Sequence, residues 1–244
     1  MEAKLKLPEI NQALRSAFSV LVWGAAAFWI RAAGFGFWPV LVFLVISAWL
    51  YFRPPLFIEK FAYSFLAVFL LVFITPYLGI WDWIVPVSAG TVFFLLLGVK
   101  NLVFLNRHSF HSLAHSLIVV WVALIFFSGD LGKFGLLILF ISLLFLIREY
   151  LVLRNSNDDL PSPLIKVAAV SAAFLASELA WGISLLPIGF IEETAVFAAM
   201  MFLAEDIMYY AINDSLDKGI AIRNSTLAII LVALVFSFSN WAPH

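Results

Sequence analysis

The feature that most restricts the fold is a series of apolar runs, each close to the roughly 20 residues a helix needs to cross about 30 Å of hydrocarbon. Nine such runs fill the chain, at about 16–30, 37–52, 61–78, 83–99, 108–128, a sixth ending near Leu153, two between Lys166 and Tyr210, and 226–241. A backbone in lipid must satisfy its own N–H and C=O groups, which a helix does within one segment. The chain is therefore expected to be all-α: a polytopic transmembrane helix bundle of about nine spans, forming a single integral membrane domain over residues 1–244.

Composition excludes the alternatives. Charged residues make up 12% of the chain against 64% hydrophobic, and the mean hydropathy is +1.07; a soluble domain carries roughly 25% charged residues. The 14 basic and 15 acidic residues nearly cancel, so no global field recruits nucleic acid. There is no cysteine, which excludes disulfides, thiolate metal sites and cysteine catalysis.

Orientation follows from where the charges lie, because cytoplasmic loops collect Lys and Arg. With nine spans, twelve basic residues fall on the side of the amino terminus, among them Lys4, Arg53, Lys100, Arg154 and Lys218, and only Arg31 and Lys133 fall opposite. The amino terminus is thus expected in the cytoplasm. Trp29, Trp38, Trp81, Trp83 and Trp241 fall at the expected outer boundary, as an aromatic belt requires. The first run, with Lys4, Lys6 and Arg15 before it and Gly24-Ala25-Ala26-Ala27 within it, also has features of a cleavable signal peptide, but is read as a retained helix. With short loops and no organellar transit peptide, the expected location is a plasma membrane, the inner membrane of a bacterium.

The central stretch, Lys166 to Tyr210, carries acids inside apolar sequence and breaks at Leu186-Pro187-Ile188-Gly189. At 100° per residue Ala168, Ala172, Ala176 and Ala180 form a small-residue ridge, and Glu178 shares another face with Ser171 and Gly182. Neighbouring helices are expected to enclose both faces. Glu178 lies about 18 Å along its helix at 1.5 Å per residue, close to mid-membrane, where an ionised carboxylate costs at least about 2.5 kcal/mol. It reads either as an interhelical hydrogen-bonding group or as a proton- or ion-coupling residue. Glu192 and Glu193 open the eighth helix, where the helix dipole favours acids.

Glu205 and Asp206 lie in the inner third of the eighth helix, and His111 and His115 lie in the fifth helix with His108, Ser112 and Ser116 nearby. Counted from the inner surface, His115 and Glu205 are each about 10 Å deep. Imidazoles and carboxylates at one depth stabilise each other by charge-assisted hydrogen bonds, so the four are expected to form a cytoplasm-facing polar pocket suited to proton relay. A metal site is disfavoured because only two histidines have ligand spacing. Neither a metal nor an organic cofactor is expected.

Enzyme templates fit poorly. Glu192-Glu193 has the paired glutamates of CAAX-processing intramembrane proteases, but the arginine that should follow is absent and the histidines lie upstream. There is no nucleophile elbow, Walker loop or dinucleotide fingerprint. The segments Glu178-Leu179-Ala180-Trp181, Leu185-Leu186-Pro187 and Gly189-Phe190 resemble multi-pass bacterial membrane protein families with no assigned function; the resemblance implies a membrane location and nothing more. The expected function is a small-solute or ion transporter, with proton coupling through Glu178 as one mechanism. The alternatives are an intramembrane enzyme using the histidine and carboxylate pocket, and a non-catalytic scaffold or accessory subunit bound to another membrane protein. Expected partners are the lipid bilayer, a small solute or ion, or that membrane protein.

Overall fold

The computed structural model describes residues 3–53, 61–74, 84–100, 106–129, 134–154, 162–213 and 215–239. Among them the chain is all-α, with nine helices: α1 (Ala3–Ala32), α2 (Phe37–Phe52), α3 (Ala62–Ile74), α4 (Ile84–Lys100), α5 (Arg107–Phe127), α6 (Gly135–Arg154), α7 (Ser162–Ile183), α8 (Phe190–Ile212) and α9 (Lys218–Phe238). Five of these, α5 to α9, are long and apolar enough to cross a membrane. The expected belt residues Trp81, Trp83 and Trp241 lie outside the described residues.

The chain divides into two compact units, residues 1–118 and 119–244. In the first, α1 packs on α2 and α4, and α3 packs on α4. Aromatic rings fill this unit: Trp23 stacks on Phe93 at 4.6 Å, and Phe43 stacks on Phe69 at 5.4 Å. The Trp23 indole N–H donates to the Ser47 hydroxyl at 2.8 Å, so the one polar edge of the ring is satisfied in the core. The turn from α1 to α2 is a Schellman motif: Phe35 N–H bonds the Ile30 carbonyl and Gly34 N–H bonds that of Arg31. Gly34 and Phe35 both take the left-handed conformation, at φ 64° and 59°. Gly36 caps α2 in extended backbone instead.

In the second unit α6 packs on α7, α7 on α8 and α8 on α9. Its core joins Leu139, Leu143 and Ile147 of α6 to Ala169, Ala173, Ala176 and Ala180 of α7 and to Phe197 and Met201 of α8. Small residues on α7 let the backbones approach closely, which is how apolar helices associate without a hydrophobic driving force. The segment 184–189 breaks α7 from α8 as its Pro187 and Gly189 suggest, and Gly189 is the N-cap of α8. α9 starts at Lys218 instead of near 226, because Asp217 caps it by accepting from the Gly219 N–H. α1 likewise begins well before residue 16.

Candidate functional site

Ionisable residues buried within apolar helices are the candidates, and each unit holds its own set. In the first unit α5 opens with the Asn106 side chain accepting from the Ser109 N–H at 3.3 Å. His108 is exposed, whereas His111 and His115, one turn further in, are both buried. Their rings lie 6.4 Å apart at 28°, and the His111 ring meets Phe61 edge-on at 5.7 Å. The expected pairing of these two imidazoles on one helix face is therefore present. Among the described residues no three His, Asp or Glu side chains gather closely enough to hold a metal ion.

Lys100 is the residue that sequence reading missed. Its place at a helix end groups it with the loop charges, yet it turns inward and is only 1% exposed. Its Nζ sits 4.4 Å over the Tyr51 ring, and Tyr51 in turn stacks on Phe65 at 4.0 Å. Among the described residues Nζ has no hydrogen-bond acceptor, so an aromatic face is its principal counter-charge. Hydropathy carries no sign of this, because a lysine at a helix end reads the same whether it points outward or inward.

In the second unit the adjacent acids of α8 diverge, as residues 100° apart on a helix must. Asp206 turns to α6 and α9: it accepts from the Arg154 guanidinium at 3.0 Å and from the Asn224 amide at 2.8 Å. Arg154 also donates to the Tyr150 hydroxyl and lies 3.9 Å over the Tyr209 ring. Asp206 thus belongs to a polar knot that ties three helices together. Glu205 turns the other way. It is 5% exposed and lines a groove of about 320 Å³ between α7 and α8, whose other walls are Ser171 and apolar side chains including Leu175, Leu179 and Met201.

No family model, curated protein or solved structure matches the chain. The chemistry on offer is therefore that of the side chains themselves. Glu178 departs from its expected enclosure and depth: it is exposed, on the face of α7 opposite the buried alanines, and because α7 runs from Ser162 to Ile183 it lies five residues from the helix end and not at its middle. Of the expected ridge Ala176 and Ala180 are buried, whereas Ala168 and Ala172 are half-buried and Ala169 and Ala173 take the inner positions; helix periodicity separates faces without saying which of them a neighbour covers. Glu192 and Glu193 lie in the first turn of α8 as expected, and Glu193 is buried there. Glu149 of α6 is also buried. Of the acids in the spans, Glu205 alone among the described residues is both buried and part of the α7–α8 groove lining, so a proton or small cation could reach it from that groove.

Proposed function

We propose that the protein is a nine-span plasma-membrane protein with a cytoplasmic amino terminus, as the inner membrane of a bacterium would hold, that transports a small solute or ion coupled to protons through Glu205. The observation that carries this reading is a carboxylate 5% exposed at the wall of an otherwise apolar groove within two membrane-length helices. Acids buried inside membrane-spanning helices mark proton and ion pathways, and the groove gives a proton or a small cation a route to this one. His111 and His115 support the same reading, as buried imidazoles in a helix of spanning length. The uneven distribution of Lys and Arg supports the orientation.

The test is proton flux in liposomes holding the purified protein and an internal pH dye. An imposed pH gradient should collapse faster with the native protein than with Glu205→Gln, and the variant should match empty vesicles. Equal decay in all three would overturn the reading. Reporter fusions after Lys60, Arg107, Asp158 and Lys218 should report cytoplasm, and fusions after Asp82 and Asp130 the outside; the reverse pattern would refute the orientation.

A further inference from the structure

The α7–α8 groove holds about 320 Å³, at the small end of the roughly 300–1,000 Å³ that small-molecule pockets span. Small residues at Ala168, Ala172 and Ala204 leave the space open, and Leu175, Met201 and Met208 give it apolar walls. Methionine side chains are flexible and polarisable, so such walls adapt to apolar bodies of more than one outline. Among the described residues that line the groove, Glu205 carries the only charge and Ser171 the only other polar side chain.

This lining selects among solutes and ions. A bare metal cation needs more oxygen than it finds, since calcium takes about six to eight oxygen ligands and magnesium a near-octahedral shell, whereas the groove offers one carboxylate and one hydroxyl. The backbone carbonyls of both helices are engaged in their own ladders. A sugar brings several hydrogen-bonding groups, and a zwitterion a second charge, which apolar walls would strand. An anion would be repelled by Glu205. An organic cation meets both demands: its single positive charge is matched by the carboxylate, and its apolar body by the leucine and methionine walls.

We propose that the groove is the substrate site and that the substrate is a lipophilic organic monocation, a quaternary or protonated amine carried on an apolar body. This rests on the reading of Glu205 as the proton-coupling residue and names what is exchanged for the proton. The Glu205 carboxyl releases its proton to water as the organic cation arrives and takes one up as it leaves, so one positive charge replaces another at a single carboxylate.

The test uses radiolabelled benzyltrimethylammonium, whose charge is the same at every pH, and its neutral isostere neopentylbenzene. Equilibrium dialysis against the purified protein in detergent, with protein-free micelles as the blank, should show saturable binding of the cation. Excess unlabelled cation should displace it, and equal excesses of neopentylbenzene or sodium should not; this comparison is made on the native protein and needs no variant. Glu205→Gln should weaken binding at least about tenfold. Ala172→Phe, which puts a ring into the groove and leaves the carboxyl in place, should abolish binding. Affinity should fall as the pH is lowered, because protons compete for the same carboxyl. No saturable binding to the native protein, displacement by neopentylbenzene as effective as by the cation itself, which would mark an apolar groove that lipid fills, native affinity in Glu205→Gln, or an affinity indifferent to pH would each overturn the proposal. Glu205-dependent proton flux without cation binding would sink this substrate class and leave the transport reading standing, whereas cation binding without Glu205-dependent flux would overturn the transport reading.

Discussion

Asp206 can be tested as a structural residue by a double-mutant cycle with Arg154. The two side chains meet at 3.0 Å and are 30% and 23% exposed, respectively. Fully exposed ion pairs couple by about 0.2–1 kcal/mol, and hydrogen bonds to buried charges contribute about 1.5–3 kcal/mol. A pair roughly a quarter exposed should fall between, at a coupling of about 1–1.5 kcal/mol. Asp206→Asn should cost slightly more than the coupling, about 1.5–2 kcal/mol, because it also weakens the acceptor of the 2.8 Å bond from Asn224. Arg154→Met should cost a similar amount, since it loses the ion pair together with a cation–π contact at 3.9 Å to Tyr209, itself about 0.5–2 kcal/mol. The assay is reversible unfolding in mixed micelles, followed by tryptophan fluorescence for both single variants and the double variant. A coupling below about 0.3 kcal/mol, or an Asp206→Asn protein as stable as the native one, would refute the assignment. If Asp206 locks helices and Glu205 binds protons, Asp206→Asn should also leave proton flux intact once the protein is folded.

Two further outcomes follow from buried polar groups in the first unit. Ser47→Ala should lower thermal stability by about 1–3 kcal/mol, because it strands the buried Trp23 indole N–H; a Trp23→Phe, Ser47→Ala double variant should lose less than the two single losses added, and strict additivity would show that the bond contributes nothing. Lys100→Met should raise stability by about 1–3 kcal/mol, since replacing a buried charge that lacks a bonded partner by an apolar chain of similar length is commonly stabilising, and the Tyr51 contact offsets only about 0.5–2 kcal/mol; a loss of stability in this variant would mean that the amine is well satisfied where it sits.

Most of the helix pattern was legible because it rests on hydropathy and on glycine and proline. The 37–52 run is α2 to the residue, and the break at Leu186-Pro187-Ile188-Gly189 separates α7 from α8. Helix starts set by capping were less legible. Asp217 begins α9 eight residues before its apolar stretch at 226, since a cap and ordinary helix propensity suffice where hydropathy is silent. Side-chain direction was the least legible of all. Lys100 and Arg154 were both read as loop cations, and both fold back onto aromatic rings. Glu205 and Asp206 are sequence neighbours with opposite surroundings, a buried groove wall and a three-helix knot. Their separation follows from 100° per residue, but which acid faces which neighbour depends on contacts far along the chain.

Hydropathy fails in a particular way on α7, and residue volume repairs the failure. A lipid-facing side and a protein-facing side are equally apolar, so a hydrophobicity scale cannot rank them. Volume can, because helices in contact must let their backbones approach: Ala169, Ala173, Ala176 and Ala180 are buried, and Val167, Phe174 and Trp181 are exposed. The same criterion puts Glu178 among the large outward residues, five residues before the α7 end at Ile183. So near the end of a span the cost of a charge is lower than at its centre, and an exposed acid there needs no enclosing helix.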